Sequence, residues 1–217
     1  MSVIYRTTMV PTKLQLLAAW LPGRTWYRGG RDPDLRKAGG FRLDDPDGQV
    51  GIEFMVLTDH SGEQPHTYHV PHTYHVPLTY RGSPLPDAEE GLVGTSEHGV
   101  LGTRWVYDAT RDPVAISQIV ALLTGNAVPQ AQSESDTPDP SVSVQITDTL
   151  SLAHGFGSPH DGTSYTDIPV GERIVRVGRP LEPTAAPDEV ATAGKVSAPW
   201  RVSEATTARG LFLWMAA

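Results

Sequence analysis

The 217-residue chain contains no cysteine. That absence removes disulfide frameworks, thiolate-ligated zinc and iron–sulfur centres, and a thiol nucleophile, and it fits a reducing compartment. Positive charge is also scarce: 17 Lys and Arg stand against 25 Asp and Glu, giving a net charge of −8. The basic residues are scattered, whereas a nucleic-acid binder gathers them into a patch or stripe, so no nucleic-acid partner is expected. Long apolar runs are missing too. The longest, residues 211–217, falls far short of the roughly 20 residues of a membrane-spanning helix, and the opening Met-Ser-Val-Ile-Tyr-Arg lacks the basic-then-apolar pattern of a secretory signal. The expectation is a soluble, cytoplasmic protein with no membrane partner. Turn formers, by contrast, are abundant. The 21 Gly and 19 Pro exceed the roughly 12% of an average chain, which implies many turns and few helices.

Two helices are expected. Pro11 suits a first helical position, and Leu14, Leu17, Ala18 and Leu21 recur at the spacing of one helical face before Pro22-Gly23 ends the run. Asp112 can cap a second helix, Pro113 fits its first turn, Ile116, Ile119, Val120 and Leu123 form an apolar stripe, and Gly125 stops it. Between them, residues 38–43 and 49–58 flank Asp44-Asp45-Pro46-Asp47-Gly48, which reads as a β-hairpin with a solvated turn. A calcium loop is excluded there, because placing Gly48 at its sixth position puts Leu43 and Phe54 where carboxylates are required. Residues 67–80 and 100–107 are further strand candidates, with Pro71 and Pro77 implying an edge or a bulge.

The hexapeptide Pro65-His66-Thr67-Tyr68-His69-Val70 is followed at once by an identical copy, Pro71 to Val76. Six is even, so the duplication preserves which side chains face which side of a strand. Its histidines suggest a metal site, but on a strand only His66 with His72, or His69 with His75, share a face, and neither pair has a carboxylate close by. A tandem duplication is the preferred reading, and no metal is expected.

Residues 129–141 lack periodicity and apolar content and read as a linker or flexible loop. Beyond them, residues 142–152, 172–177, 195–202 and 210–215 are strand-like. The expected organisation is therefore a first unit over 1–128, the linker over 129–141, and a β-rich segment over 142–217 packing on the first. Local catalytic motifs are absent: there is no phosphate-loop Gly-Lys-Ser/Thr, no His-Glu-x-x-His and no Gly-x-Ser-x-Gly. Gly155-Phe156-Gly157 is not continued as a dinucleotide fingerprint. His154, Ser158, His160 and Asp161 could be imagined as acid–base partners, but serine is too common for the grouping to weigh much. Trp20, Trp26, Tyr27, Trp105 and Tyr107 are candidates for stacking on a sugar ring, with core packing as the plainer alternative.

The segments Arg6-Thr7-Thr8, Pro11 to Leu14, Leu17 to Pro22, Trp26-Tyr27 and Lys37 to Pro46 closely resemble the N-terminal cap domain of the actinobacterial-type maltokinases and related aminosugar kinases. The resemblance continues in order through Gly51 to Val56, Tyr74 to Gly82, Leu92 to His98 and Arg104 to Asp108, covering roughly residues 1–125. The family pattern has a single Tyr-His-Val-Pro-Leu-Thr-Tyr run, which marks the preceding copy as the insertion. In those kinases a nucleotide lobe and a helical catalytic lobe follow. Here Arg173 to Val177 with Arg179 and Leu181-Glu182-Pro183, then Pro187-Asp188, weakly resembles the segment carrying the ATP-phosphate lysine, placing Arg176 there as the cofactor-binding candidate. Phosphoryl transfer also needs metal-binding carboxylates and a catalytic base, and the family's His-Gly-Asp loop has no counterpart: His160-Asp161-Gly162 has another order.

The resemblance implies an α+β fold, a curved antiparallel sheet covered by two main helices with a β-rich C-terminal extension. It implies a non-catalytic interaction or regulatory module linked to α-glucan, maltose or trehalose metabolism, with no cofactor. Degenerate sugar kinase and carbohydrate-binding module are the alternatives. The expected partners are a sugar-metabolising enzyme or another copy pairing through a sheet edge.

Overall fold

A computed structural model describes residues 8–62, 71–146, 155–183 and 192–216. In chain order, β1 (Met9–Val10) precedes α1 (Lys13–Trp20), followed by β2 (Leu35–Leu43), β3 (Gly51–Asp59), β4 (His72–Arg81), β5 (Leu92–His98) and β6 (Gly102–Asp108). Then come α2 (Pro113–Leu123), β7 (Gln130–Ala131), β8 (Ser143–Ile146), β9 (His160–Asp161), β10 (Tyr165–Val170), β11 (Arg173–Gly178), β12 (Thr192–Arg201) and β13 (Thr207–Ala216). The strands form one open, antiparallel sheet in the order β1-β5-β6-β4-β3-β2-β12-β13-β11-β10-β9, with β7 beside β2 and β8 beside β12.

The two helices form where capping chemistry starts them. Thr12 accepts from the Gln15 amide while the Gln15 side chain accepts from the Thr12 amide, a reciprocal cap, and the Asp112 carboxylate accepts from the Val114 amide ahead of Pro113. The helices are shorter and cover less than expected. α1 has 8 residues and buries Leu17 and Trp20; α2 has 11 and buries Ala115, Ile116, Ile119, Leu122 and Leu123. Much of the cover comes instead from the sheet itself, which curls until His75 of β4 meets Phe212 of β13, four strands further along the order, at 4.7 Å between ring centres. β3 is consequently buried on both sides. Ile52, Phe54 and Val56 enter a core shared with α2 and the C-terminal strands, while Met55 and Leu57 enter a second core with Leu17, Trp20 and Trp26.

The expected hairpin is present as β2 and β3. Its turn is held by the buried Asp45, whose carboxylate accepts from the amides of Asp47, Gln49 and Val50, and Gly48 takes φ +68°, a left-handed conformation suited to glycine. Pro77 lies inside β4, and the neighbours explain its tolerance. On the side away from β3, His75 donates to the Arg179 carbonyl and Leu181 to that of Thr73, whereas β6 takes over from Leu78 onward. The missing amide of Pro77 falls where one neighbour gives way to the other. β5 and β10 had no clear sequence signal, and residues 67–70 and 147–152 of the expected strands lie outside the described residues.

Candidate functional site

The aromatic candidates separate into two places. Trp20 and Trp26 contact each other edge to face at 5.9 Å, Trp26 is 6.1 Å from Tyr74, and Tyr27 is 5.2 Å from Tyr74. Trp105 and Tyr107 sit on β6, opposite Arg81 and Thr79 of β4. Trp26 is fully buried, Trp20 and Tyr107 are buried, and Tyr27 and Trp105 are half-buried. Trp26 offers no open ring face, because the Arg179 guanidinium lies 4.8 Å from its centre. Tyr107 has a structural bond, its hydroxyl accepting from the Leu85 amide at 2.9 Å.

Arg179, which the sequence places in the resemblance without a role, is the centre of a buried polar cluster. It is completely buried; its Nε donates to Thr166 Oγ1 at 2.7 Å, and its Nη2 donates to Asp108 Oδ2 at 2.5 Å and Thr110 Oγ1 at 3.1 Å. Asp161 completes the cluster. It accepts from Thr166 Oγ1 at 2.5 Å and pairs with Arg111 at 2.9 Å. Burial raises its carboxyl, but the Thr166 bond and the charges of Arg179 and Arg111 outweigh that and hold it below the ordinary range. Its carboxylate is thus committed to structure, away from any dyad with the exposed His160; Ser158 is also exposed, and His154 lies outside the described residues. No local signal marks Arg179, because Asp108 and Thr110 lie about 70 positions earlier.

Arg176, the candidate nucleotide contact, donates from Nε to Asp167 Oδ1 at 2.9 Å across the β10–β11 ladder, and its guanidinium lies over the Tyr165 ring at 4.5 Å. That hydrogen bond raises its pKa further. Of the histidines, His66 and His69 lie outside the described residues. His72 is half-buried opposite Asp59 and His75 fully buried opposite Val56, on opposite faces of β4 as the strand period requires. The ring of His75 lies between Phe54 and Phe212, with Nδ1 2.9 Å from the Gly178 carbonyl. Burial, reinforced by Arg179, pushes its pKa down to about 3 against the effect of that bond, so the imidazole is neutral and Nδ1 donates. Among the described residues no three His, Asp or Glu side chains are grouped to hold a metal.

Two other polar features stand out. Buried Glu53 accepts from Lys13 Nζ at 2.5 Å, Tyr80 Oη at 2.6 Å and Gln132 Nε2 at 2.9 Å. Burial pushes its carboxyl up, and the Lys13 charge with these bonds brings it below the usual value. On the surface, a cleft of about 510 Å³ is lined by residues 28–32 with Asp59, Ser61, Gly62 and His72. Of its lining residues, Asp59 accepts at Oδ2 from the Tyr27 hydroxyl at 2.6 Å.

Residues 20–112 match the family model of the maltokinase N-terminal cap domain. The chain contains a maltokinase cap-like domain. The match spans under half of the chain, from Trp20 of α1 to Asp112, the cap of α2. It takes in Trp26, Glu53 and Asp108; Arg179 lies beyond it and reaches back into it. No curated protein matches the chain.

Proposed function

We propose that this cap-like protein is non-catalytic and acts in the cytoplasm as an interaction or regulatory module linked to α-glucan, maltose or trehalose metabolism. The cap-domain match supports the metabolic context. The observation that carries the non-catalytic reading is the engagement of Arg176, at the place where the kinases position a nucleotide lysine, with Asp167 and the Tyr165 ring. The absence of a His-Gly-Asp loop from these 217 residues agrees with it. In this reading residues 1–128 form the cap unit and 142–217 brace it through Arg179. A different protein is the favoured partner over a second copy, since both ends of the strand order, β1 and β9, are two residues long and such short edges template pairing poorly. Calorimetry with ATP and magnesium tests the non-catalytic part: no binding heat at millimolar nucleotide is expected, and saturable magnesium-dependent heat contradicts it.

A second reading, carbohydrate binding, draws on the cleft, where Arg28, Arg31 and Asp32 offer donors and acceptors beside Tyr27. Titration with maltose, trehalose and soluble glycogen, followed through the backbone amides of Gly29 and Gly30, tests it; unmoved amides dismiss it.

A further inference from the structure

The strands β10, β11 and β13 turn different chemistry to their two sides. Ile168 and Val170 of β10, Val175 and Val177 of β11 and Leu213 of β13 face the core, where α2 also packs. By the strand period and the pairing register, Tyr165, Asp167, Pro169, Ile174, Arg176 and Trp214 stand together on the opposite side. That outer face holds an aromatic corner. The half-buried rings of Trp214 and Tyr165 lie 6.0 Å apart between centres, with their planes at 76°. Gly178 makes room for the indole: a β-carbon there would lie 3.5 Å from Trp214 Cζ3, so a side chain at this position would crowd the ring. The Arg176 guanidinium lies over the Tyr165 ring at 4.5 Å and its Nε donates to Asp167 Oδ1 at 2.9 Å. The side chains of this ion pair keep 31% and 24% of their exposure, so both remain within reach of a ligand.

We propose that this corner binds a neutral, α-linked gluco-oligosaccharide, with Trp214 as the stacking ring. A pyranose presents an apolar face of C–H bonds and a rim of hydroxyls that both donate and accept. Trp214 suits the apolar face, and Ile174, 37% exposed on the same side of the sheet, extends the apolar surface. Arg176 and Asp167 suit the rim, one as donor and the other as acceptor. Their charges cancel, so an uncharged ligand is favoured over an anion or a cation, either of which competes with the existing pair. The angle between the rings selects the linkage. A flat, β-linked chain needs stacking rings that share a plane, whereas a curved, α-linked chain turns its successive sugars and fits rings set at 76°. The assignment goes beyond the module reading, which gives these strands only a bracing role, and it shares no residue with the cleft around residues 28–32.

The test is a chemical-shift titration of the isotope-labelled chain with maltoheptaose, with cellohexaose as the flat-chain comparison. Maltoheptaose at millimolar concentration is expected to move the Trp214 indole N–H and the amides of Asp167 and Arg176 in a saturable way, and cellohexaose to leave them in place. Trp214→Ala is expected to weaken binding at least about tenfold. Trp214→Phe keeps a ring beside Gly178 and is expected to bind more tightly than Trp214→Ala, which separates loss of stacking from a disturbed sheet. Asp167→Asn is expected to weaken binding about fivefold by removing a charged acceptor. Unmoved Trp214 signals with maltoheptaose, or an equal response to cellohexaose, overturn the proposal. Shifts confined to Gly29 and Gly30 also overturn it and place the sugar in the cleft instead. A protein partner that moves the Trp214 signal when no sugar does makes the face a protein-docking surface, and likewise overturns it.

Discussion

The guanidinium of Arg179 lies 4.8 Å from the centre of the Trp26 ring while its Nη2 holds Asp108 at 2.5 Å. One buried cation from the C-terminal strands thereby meets both an aromatic and a carboxylate of the cap-matched region. Removing it leaves Asp108 buried beside an empty place, and breaking a buried pair on one side costs about 3–5 kcal/mol. Arg179→Met is expected to lose that much in denaturant unfolding. Arg179→Lys recovers only part of it, because an ammonium cannot serve Thr166 and Asp108 in the same fork.

His75 gives the stability a pH signature. Its pKa falls from 6.5 in the open chain to about 3 in the fold, so its contribution is complete above pH 6.5 and is lost as pH falls toward 3, where the unfolded chain takes up a proton that the native state refuses. Below about pH 6 the loss approaches about 1.4 kcal/mol per pH unit. His75→Gln keeps a donor for the Gly178 carbonyl and is expected to show a shallower slope between pH 6 and 5 in paired unfolding curves.

Glu53 acts at lower pH. Its folded pKa is depressed, so its stabilisation is present above the ordinary glutamate value of about 4.3 and disappears as pH falls through the folded value. Glu53→Gln is expected to be less stable at neutral pH, with a smaller further loss on acidification below pH 4. An unchanged acid transition would show that Lys13 and Tyr80 do not hold this carboxylate ionised.

Gly40 tests the packing of the central strands. At φ +130° a β-carbon there would lie 2.0 Å from the Phe54 carbonyl oxygen, a backbone atom with nowhere to go. Gly40→Ala is expected to cost at least about 2 kcal/mol in denaturant unfolding.

Local chemistry made part of this fold legible. The Asp112-Pro113 start of α2, the apolar stripe ending near Leu123, and the turn between β2 and β3 were all readable because cap, stripe and turn lie within a few residues of one another. β10 was not, because its alternation of Thr166, Ile168 and Val170 is short and broken by Pro169. The role of Arg179 was not legible for a different reason: its partners come from β6, the turn after it and β10, and only the folded sheet brings them together. The aromatic candidates show the converse. Trp20, Trp26, Tyr27, Trp105 and Tyr107 stand out in the sequence as candidates for stacking on a sugar, yet an exposed ring and a buried one look alike until the neighbouring strands are known. The hexapeptide repeat was plain in the sequence, but the burial of Leu78 and the Arg81–Asp112 contact that follow it became visible only in the fold.

The central claim, that this cap-like protein works as a non-catalytic partner in sugar metabolism, is tested most directly by cross-linking and affinity purification of the tagged chain from its native cells, with mass spectrometry of the cross-linked peptides. The account predicts repeated recovery of an enzyme acting on α-glucan, maltose or trehalose, joined to residues of this chain. Repeated recovery of no such enzyme contradicts it.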